Sequence, residues 1–189
     1  DHIQGFPFFS PIFRKGNVFQ IYGPDTPDGR KTKDVLMTQM QAPWFPVPLD
    51  IIQSETTFHS VKPGDEIKID EVKITVFKLN HTNLTVGYRF EYDGRVVAYV
   101  SDTEHIEGEL DENVIALSKD ADIMIYDSMY TDQEYYDPLT PKKGWGHSTW
   151  QEGVKAAKEA GVKEFIAFHH DPIHSDEFLD EMEEDIRRE

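Results

Sequence analysis

The sequence predicts an α/β fold, and three observations lead to it. Up to Asp102 the chain is rich in short stretches that alternate apolar and polar residues, the period of half-buried strands. Beyond that point helix-like and strand-like stretches take turns, the order expected when helices cover a sheet. Several strand-like stretches stop at a His or an Asp, which points to a shared functional edge.

The elements follow in chain order. After a turn-rich opening, "NVFQIYGP" reads as a strand, and "TKDVLMTQMQAPWFPVP" as a helix of a few turns stopped by Pro43 and Pro46. "EIKID" and "VKITVFKLN" read as strands. "LTVGYRFEYDGRVVAYVSD" reads as two strands joined at Asp93-Gly94, a hairpin signal because both residue types tolerate positive φ. "ELDENVIALSKD" predicts a short helix and "ADIMIYD" a buried strand. "HSTWQEGVKAAKEAG" predicts a helix with Ser148 as N-cap, Gln151 completing a capping box and Gly161 at the stop. "VKEFIAFHHD" reads as another buried strand. "SDEFLDEMEEDIRRE" reads as an acidic amphipathic helix, with Asp176 and Glu177 at the positive end of its dipole and Arg187 and Arg188 at the negative end.

At 189 residues the chain is about one domain long, and a single domain over 1–189 is expected. With 38% hydrophobic residues it has enough apolar surface for a real core. There is no cysteine, which excludes disulfides and thiolate metal sites and leaves any metal to His and carboxylate ligands. The net charge of −17 opposes extended contact with a polyphosphate backbone, so a small substrate is expected rather than long nucleic acid. No apolar run is long enough to cross a bilayer and no signal peptide is visible, so a cytoplasmic protein is expected.

Among the eight histidines, His81 follows one strand-like stretch and His169 closes another, while Asp102 closes a third. Strand ends on a rigid scaffold are where function concentrates. Imidazole and carboxylate together suit zinc, iron or manganese, and a carboxylate can bridge two ions as a neutral imidazole cannot. A lone His at a strand end is more often capped or solvated. That is the expectation for His59 and His105, whose surroundings suggest no partner, and His174 is expected in a turn before the last helix. For His81, Asp102 and His169 together a metal site is expected.

These residues carry a resemblance. "DHIQG" resembles the end of the His-x-His-x-Asp-His signature of the metallo-β-lactamase fold. "NHTNLTVGYRFEYDGRVVAYVSDTEH" is similar to the middle of the branch containing ribonuclease Z and cyclic-phosphate phosphodiesterases. "GWGHSTWQEGVKAAKEAGVKEFIAFHHDPIHSDE" resembles that branch's His-Ser-Thr helix and the strand bearing its last metal-binding His. The resemblance implies an αββα sandwich of which this chain is the C-terminal two-thirds or so, lacking the first sheet and two leading histidines. It implies two divalent ions, zinc first, with manganese or iron as alternatives. His81 would bind one; Asp1, His2 and His169 would bind the other; Asp102 would bridge both. On that assignment the ion near His169 is expected to be the better held. A sheet face left uncovered by the missing part would be met by another segment or chain, or by a homo-oligomer.

Two adjacent cations lower the pKa of a water between them and neutralise charge on a phosphoryl oxygen. Asp1 could accept the water's proton, and His147 is the candidate donor to a leaving alkoxide; its alternative role is to tie the "GWGHST" turn together. Asp127 could orient His147 or cap the following turn. His170 is expected behind the ligands or exposed, because neighbouring strand residues point to opposite faces. The loop aromatics Trp44, Phe45, Tyr130, Tyr135, Tyr136 and Trp145 could wall a pocket or serve local packing. The expected function is a metal-dependent phosphodiesterase acting on a small or cyclic phosphate ester. The alternatives are an acyl hydrolase of thioesterase or lactamase type, or a non-catalytic binding or signalling module.

Overall fold

The computed structural model describes residues 2–189. The chain divides into two compact units, Asp1–Lys62 and Pro63–Glu189. The first holds β1 (Val18–Pro24), α1 (Thr32–Gln39) and β2 (Glu55–Val61). β1 and β2 run parallel, with Val18 opposite Glu55 and Pro24 opposite Val61. β2 was not expected: its polar run is a strand because β1, far off in sequence, supplies its hydrogen-bonding partner. α1 opens where the Lys31 N–H donates to Asp34 Oδ2 at 3.1 Å. It ends before Pro43 and buries Leu36 against Met40 and Leu49, with Phe6, Phe13, Phe45 and Phe58 packed around them.

The second unit is built on six strands: β3 (Glu66–Ile69), β4 (Val72–Leu79), β5 (Thr85–Tyr92), β6 (Arg95–Val100), β7 (Ile123–Asp127) and β8 (Glu164–Phe168). They lie side by side in chain order. β3 to β6 are antiparallel in sequence, and β6, β7 and β8 are parallel. The expected hairpin is present: Tyr92 pairs with Arg95 around Asp93 and Gly94, whose φ values are 46° and 69°. Because β4 and β6 are both antiparallel to β5, they point the same way. The carboxyl ends of β4, β6, β7 and β8 therefore share one edge, where α/β sheets place their ligands.

Four helices complete this unit: α2 (Glu112–Ser118), α3 (Asp132–Tyr135), α4 (Trp150–Ala160) and α5 (Asp176–Arg188). α2 and α4 cover one face of the sheet, where Val114, Leu117, Ala156 and Ala157 pack on Leu79, Ala98, Val100, Met124 and Tyr126. Each fully buried Leu or Val there contributes roughly 1.5–3 kcal/mol. α5 adds Met182 to Trp150 and Val154 over Phe165 and Ala167.

Two expectations need correcting. The N-cap of α4 is Thr149, whose side chain accepts from the Glu152 N–H, and not Ser148. Ser148 is turned inward to other partners, and Gln151 Oε1 accepts from the Asp132 N–H at 3.2 Å instead of closing a capping box. β8 is not a buried strand. It has a neighbour on one side only, and Ile166 and Phe168 are 37% and 41% exposed. Among the described residues no helix is long and apolar enough to cross a membrane.

Packing of α2 on the sheet depends on Gly87. A Cβ there would lie 2.6 Å from Leu117 Cδ1 and 2.9 Å from the Tyr99 carbonyl oxygen, too close for the backbone to absorb. Gly87→Ala is therefore expected to destabilise the protein by about 1–3 kcal/mol, as overpacking does. Urea unfolding checks this, and an unchanged midpoint would show that α2 is not held so tightly.

Candidate metal centre

The shared edge gathers its side chains from four strand ends and one helix start. His81 lies two residues past β4, Asp102 two past β6, Asp127 at the end of β7, His169 one past β8, and His147 just ahead of α4. One ligand atom from each of Asp102, Asp127, His147 and His169 lies within 4.8 Å of the others. His169 Nε2 is 3.3 Å from Asp102 Oδ1. The rings of His147 and His169 stack at 4.8 Å with 18° between their planes, and His81 approaches His147 at 5.4 Å.

Asp127 is fully buried, a position that costs heavily unless donors meet the carboxyl. Four do. Oδ2 accepts from His147 Nδ1 at 2.9 Å and from the Thr103 N–H at 3.3 Å. Oδ1 accepts from the N–H groups of Met129 and Ser148 at 3.3 and 3.4 Å. His147 thereby donates through Nδ1 and keeps Nε2 for the open side. Burial disfavours a charged His147 ring. The Asp127 hydrogen bond, with the charges of Asp127, Asp102 and Glu104, outweighs that and raises its pKa above the ordinary imidazole value.

His81 is held differently. Its Nδ1 donates to the Gly146 carbonyl at 2.9 Å, which again leaves Nε2 bare. Imidazoles that give one N–H to an oxygen and present the other nitrogen are the usual form of a metal ligand. His81 and His169, with the carboxylate of Asp102, make a nitrogen and oxygen donor set that fits zinc, manganese or iron, whereas the Nε2 of His147 is left for other work. Asp1 lies outside the described residues, and His2 is exposed within the first unit.

The remaining histidines divide otherwise than expected. His105 is neither solvated nor without a partner: it is buried, with Nδ1 3.0 Å from Ser148 Oγ and Nε2 3.3 Å from the Tyr136 hydroxyl, and burial lowers its pKa. Ser148 Oγ also meets the Tyr126 hydroxyl at 3.0 Å, so this network fixes the residue next to His147 from behind. His59 lies in β2, stacked on Tyr22 and 3.3 Å from Thr57 Oγ1. His174 does sit in a turn, with Nε2 2.7 Å from Glu134 Oε1. Of the aromatics, Tyr130 and Tyr135 are buried, whereas Trp145 is 58% exposed on the turn before His147. Sequence reasoning passed over Gly146 and Glu104, both of which hold this turn. The paired glycines of "GWGH" were the available signal for the first, and nothing marked the second.

The fold recurs among known proteins. A family described as a beta-lactamase superfamily domain matches residues 1–170. Ribonuclease Z of Brevibacillus brevis is 34% identical over 138 residues, 73% of this chain and 38% of that protein. Ribonuclease Z of Methanosarcina mazei is 33% identical over 88 residues, covering 44% and 25%. The chain thus spans less than two fifths of these curated relatives. Among solved structures, the metallo-beta-lactamase fold protein YhfI of Bacillus subtilis superposes with a TM-score of 0.70 at 18% identity, over 98% of this chain and 66% of that one. Human tRNase Z, short form, gives 0.60 at 18% identity, over 81% and 60%. The fold is that of the metallo-β-lactamases, as the resemblance implied.

Gly146 adopts φ 89°, and a Cβ on it would fall 1.9 Å from His81 Nδ1. Gly146→Ala should therefore push His81 out of the centre and lower metal content. Elemental analysis of the purified variant, with circular dichroism to verify the fold, tests this; full metal content would mean that His81 is not a ligand.

Proposed function

The chain belongs to the beta-lactamase superfamily, and from that premise we propose that it is a metal-dependent hydrolase of phosphate esters. The observation that carries the reading is the pair of buried Asp127 and half-buried His147, opening onto Asp102, His169 and His81 at one sheet edge. Asp102, His169 and His81 would hold divalent metal, with Asp102 as the bridge, and the resemblance adds Asp1 and His2 to the second position. Zinc is our first expectation. When bound, the ions supply an activated water and positive charge against the phosphoryl oxygens.

This chain's own residues then divide the remaining work. As the water oxygen bonds to phosphorus the ester P–O bond breaks, and the leaving alkoxide needs a proton. His147 Nε2 supplies it. Asp127 holds the ring in orientation through Nδ1 and steadies its positive charge, which agrees with the raised His147 pKa. Asp1 is proposed to take the proton from the water.

The net charge of −17 favours a small or cyclic phosphate ester over long nucleic acid. The named ribonuclease Z relatives support a second reading, an RNA phosphodiester. Parallel assays with bis(p-nitrophenyl) phosphate, cyclic nucleotides, short RNA and a thioester separate these from the acyl hydrolase. Turnover of the thioester alone would reject the proposal.

Chelation is expected to remove activity and metal together, and readdition of zinc or manganese to restore both. Asp102→Ala should lose metal at both positions and all turnover, because the neighbouring carboxylate, Asp127, is already occupied by four donors. His147→Ala should keep its metal and lose turnover by roughly 10²–10⁴-fold, the range for a lost general acid. If His147→Ala strips the metal, His147 is a ligand and the proton donor lies elsewhere.

A further inference from the structure

Glu104 stands at the crossing of the loops that carry this centre. Its Oε1 accepts from the Tyr135 hydroxyl at 2.5 Å and from the Gly144 N–H at 2.6 Å. Its Oε2 accepts from the Gly146 N–H at 3.0 Å. Its own N–H donates to the Asn80 carbonyl at 2.7 Å, and Asn80 Nδ2 donates back to the Glu104 carbonyl at 2.9 Å. One residue therefore ties together the loop before His81, the loop after Asp102 and the turn before His147.

The chemistry at Gly146 is what gives this contact a consequence. The peptide group on one side of its Cα is held by Glu104, and the carbonyl on the other side receives Nδ1 of His81. A glycine at φ 89° has little else to hold its conformation. With the first peptide released, the second is free to rotate and His81 loses the acceptor that fixes its proton on Nδ1.

We propose that Glu104 is a positioning residue that acts through Gly146 to set the tautomer and orientation of His81. The inference rests on the metal-centre reading. It requires a carboxylate, and not merely a side chain of that size. Glutamine is isosteric, but in either orientation its amide N–H₂ faces a peptide N–H, that of Gly144 or that of Gly146, and two donors oppose each other.

Glu104→Gln is the test, read first by ¹⁵N–¹H NMR of the imidazoles in metal-free protein. The parent protein should show His81 protonated on Nδ1 alone, and the variant a mixture of both tautomers. Read second by competition with a chromophoric zinc chelator, the variant should bind zinc about 10–100-fold more weakly, the range for a lost supporting partner of a ligand. Ser175→Ala, which removes the N-cap of α5, serves as the destabilised control and should change neither readout. If Glu104→Gln does not fold, Glu104→Asp takes its place, since it keeps both oxygens but draws them back by a methylene. A parental His81 tautomer and parental zinc affinity in the folded variant would overturn the proposal. Failure of the parent protein to bind zinc would instead reject the metal-centre reading, and the tautomer would still decide the role of Glu104.

Discussion

A carboxyl group with no exposure to water is the constraint around which this edge is arranged. Asp127 closes β7 with the sheet core beside it, and burial on that scale is tolerated only when each lone pair finds a donor. The donors come from three separate places: Thr103 in the loop after β6, Met129 just beyond β7, and His147 with Ser148 at the start of α4. Satisfying one buried group thus brings three loops into register. The order at the centre is a by-product of that requirement before any metal or substrate is considered.

The strands that deliver the site were legible because a strand with even one covered face leaves a plain apolar signature. "VKITVFKLN", "RVVAYVS" and "KEFIAF" each end next to a His or Asp, and the parallel pairing of β6, β7 and β8 turns those ends to one side. What remained illegible depends on partners distant in sequence. β2 needs β1, a separation that no local pattern reports. The edge position of β8 follows from sheet order and not from its composition. Ser148 and Thr149 are both competent caps, and the choice between them was decided by His105 and Tyr126, which draw the Ser148 hydroxyl inward. His105 looked isolated in "DTEHIEG" because its partners lie 43 and 31 residues further along the chain.

Charge makes the same point at a larger scale. The chain carries 36 acidic and 19 basic residues, yet a phosphate ester would need positive charge where it reacts. Near the centre that charge comes from few places. His147 is raised toward protonation, and Lys142 lies over the rings of Tyr130 and Trp145 at 5.6 and 4.6 Å. On the proposed reading, positive charge at the centre would come chiefly from bound metal, because Asp102, Asp127 and Glu104 surround His147.

Two residues of the centre adopt left-handed backbone, Asp102 at φ 60° and His169 at φ 62°. Outside glycine such conformations carry a cost, of order 1–3 kcal/mol each where the environment must enforce them. Both occur where a strand stops, and both break the alternation that would otherwise send successive side chains above and below the sheet. The cost is carried by what lies directly beneath. Ala98, Val100 and Met124 are fully buried under the same edge, and dense packing there holds the strand ends still while the residues beyond them turn. Stability is therefore placed in the sheet and strain at its rim. That division explains why His81, Asp102 and His169 sit one or two positions past the last regular pair of their strands, while Asp127 still pairs with Phe168.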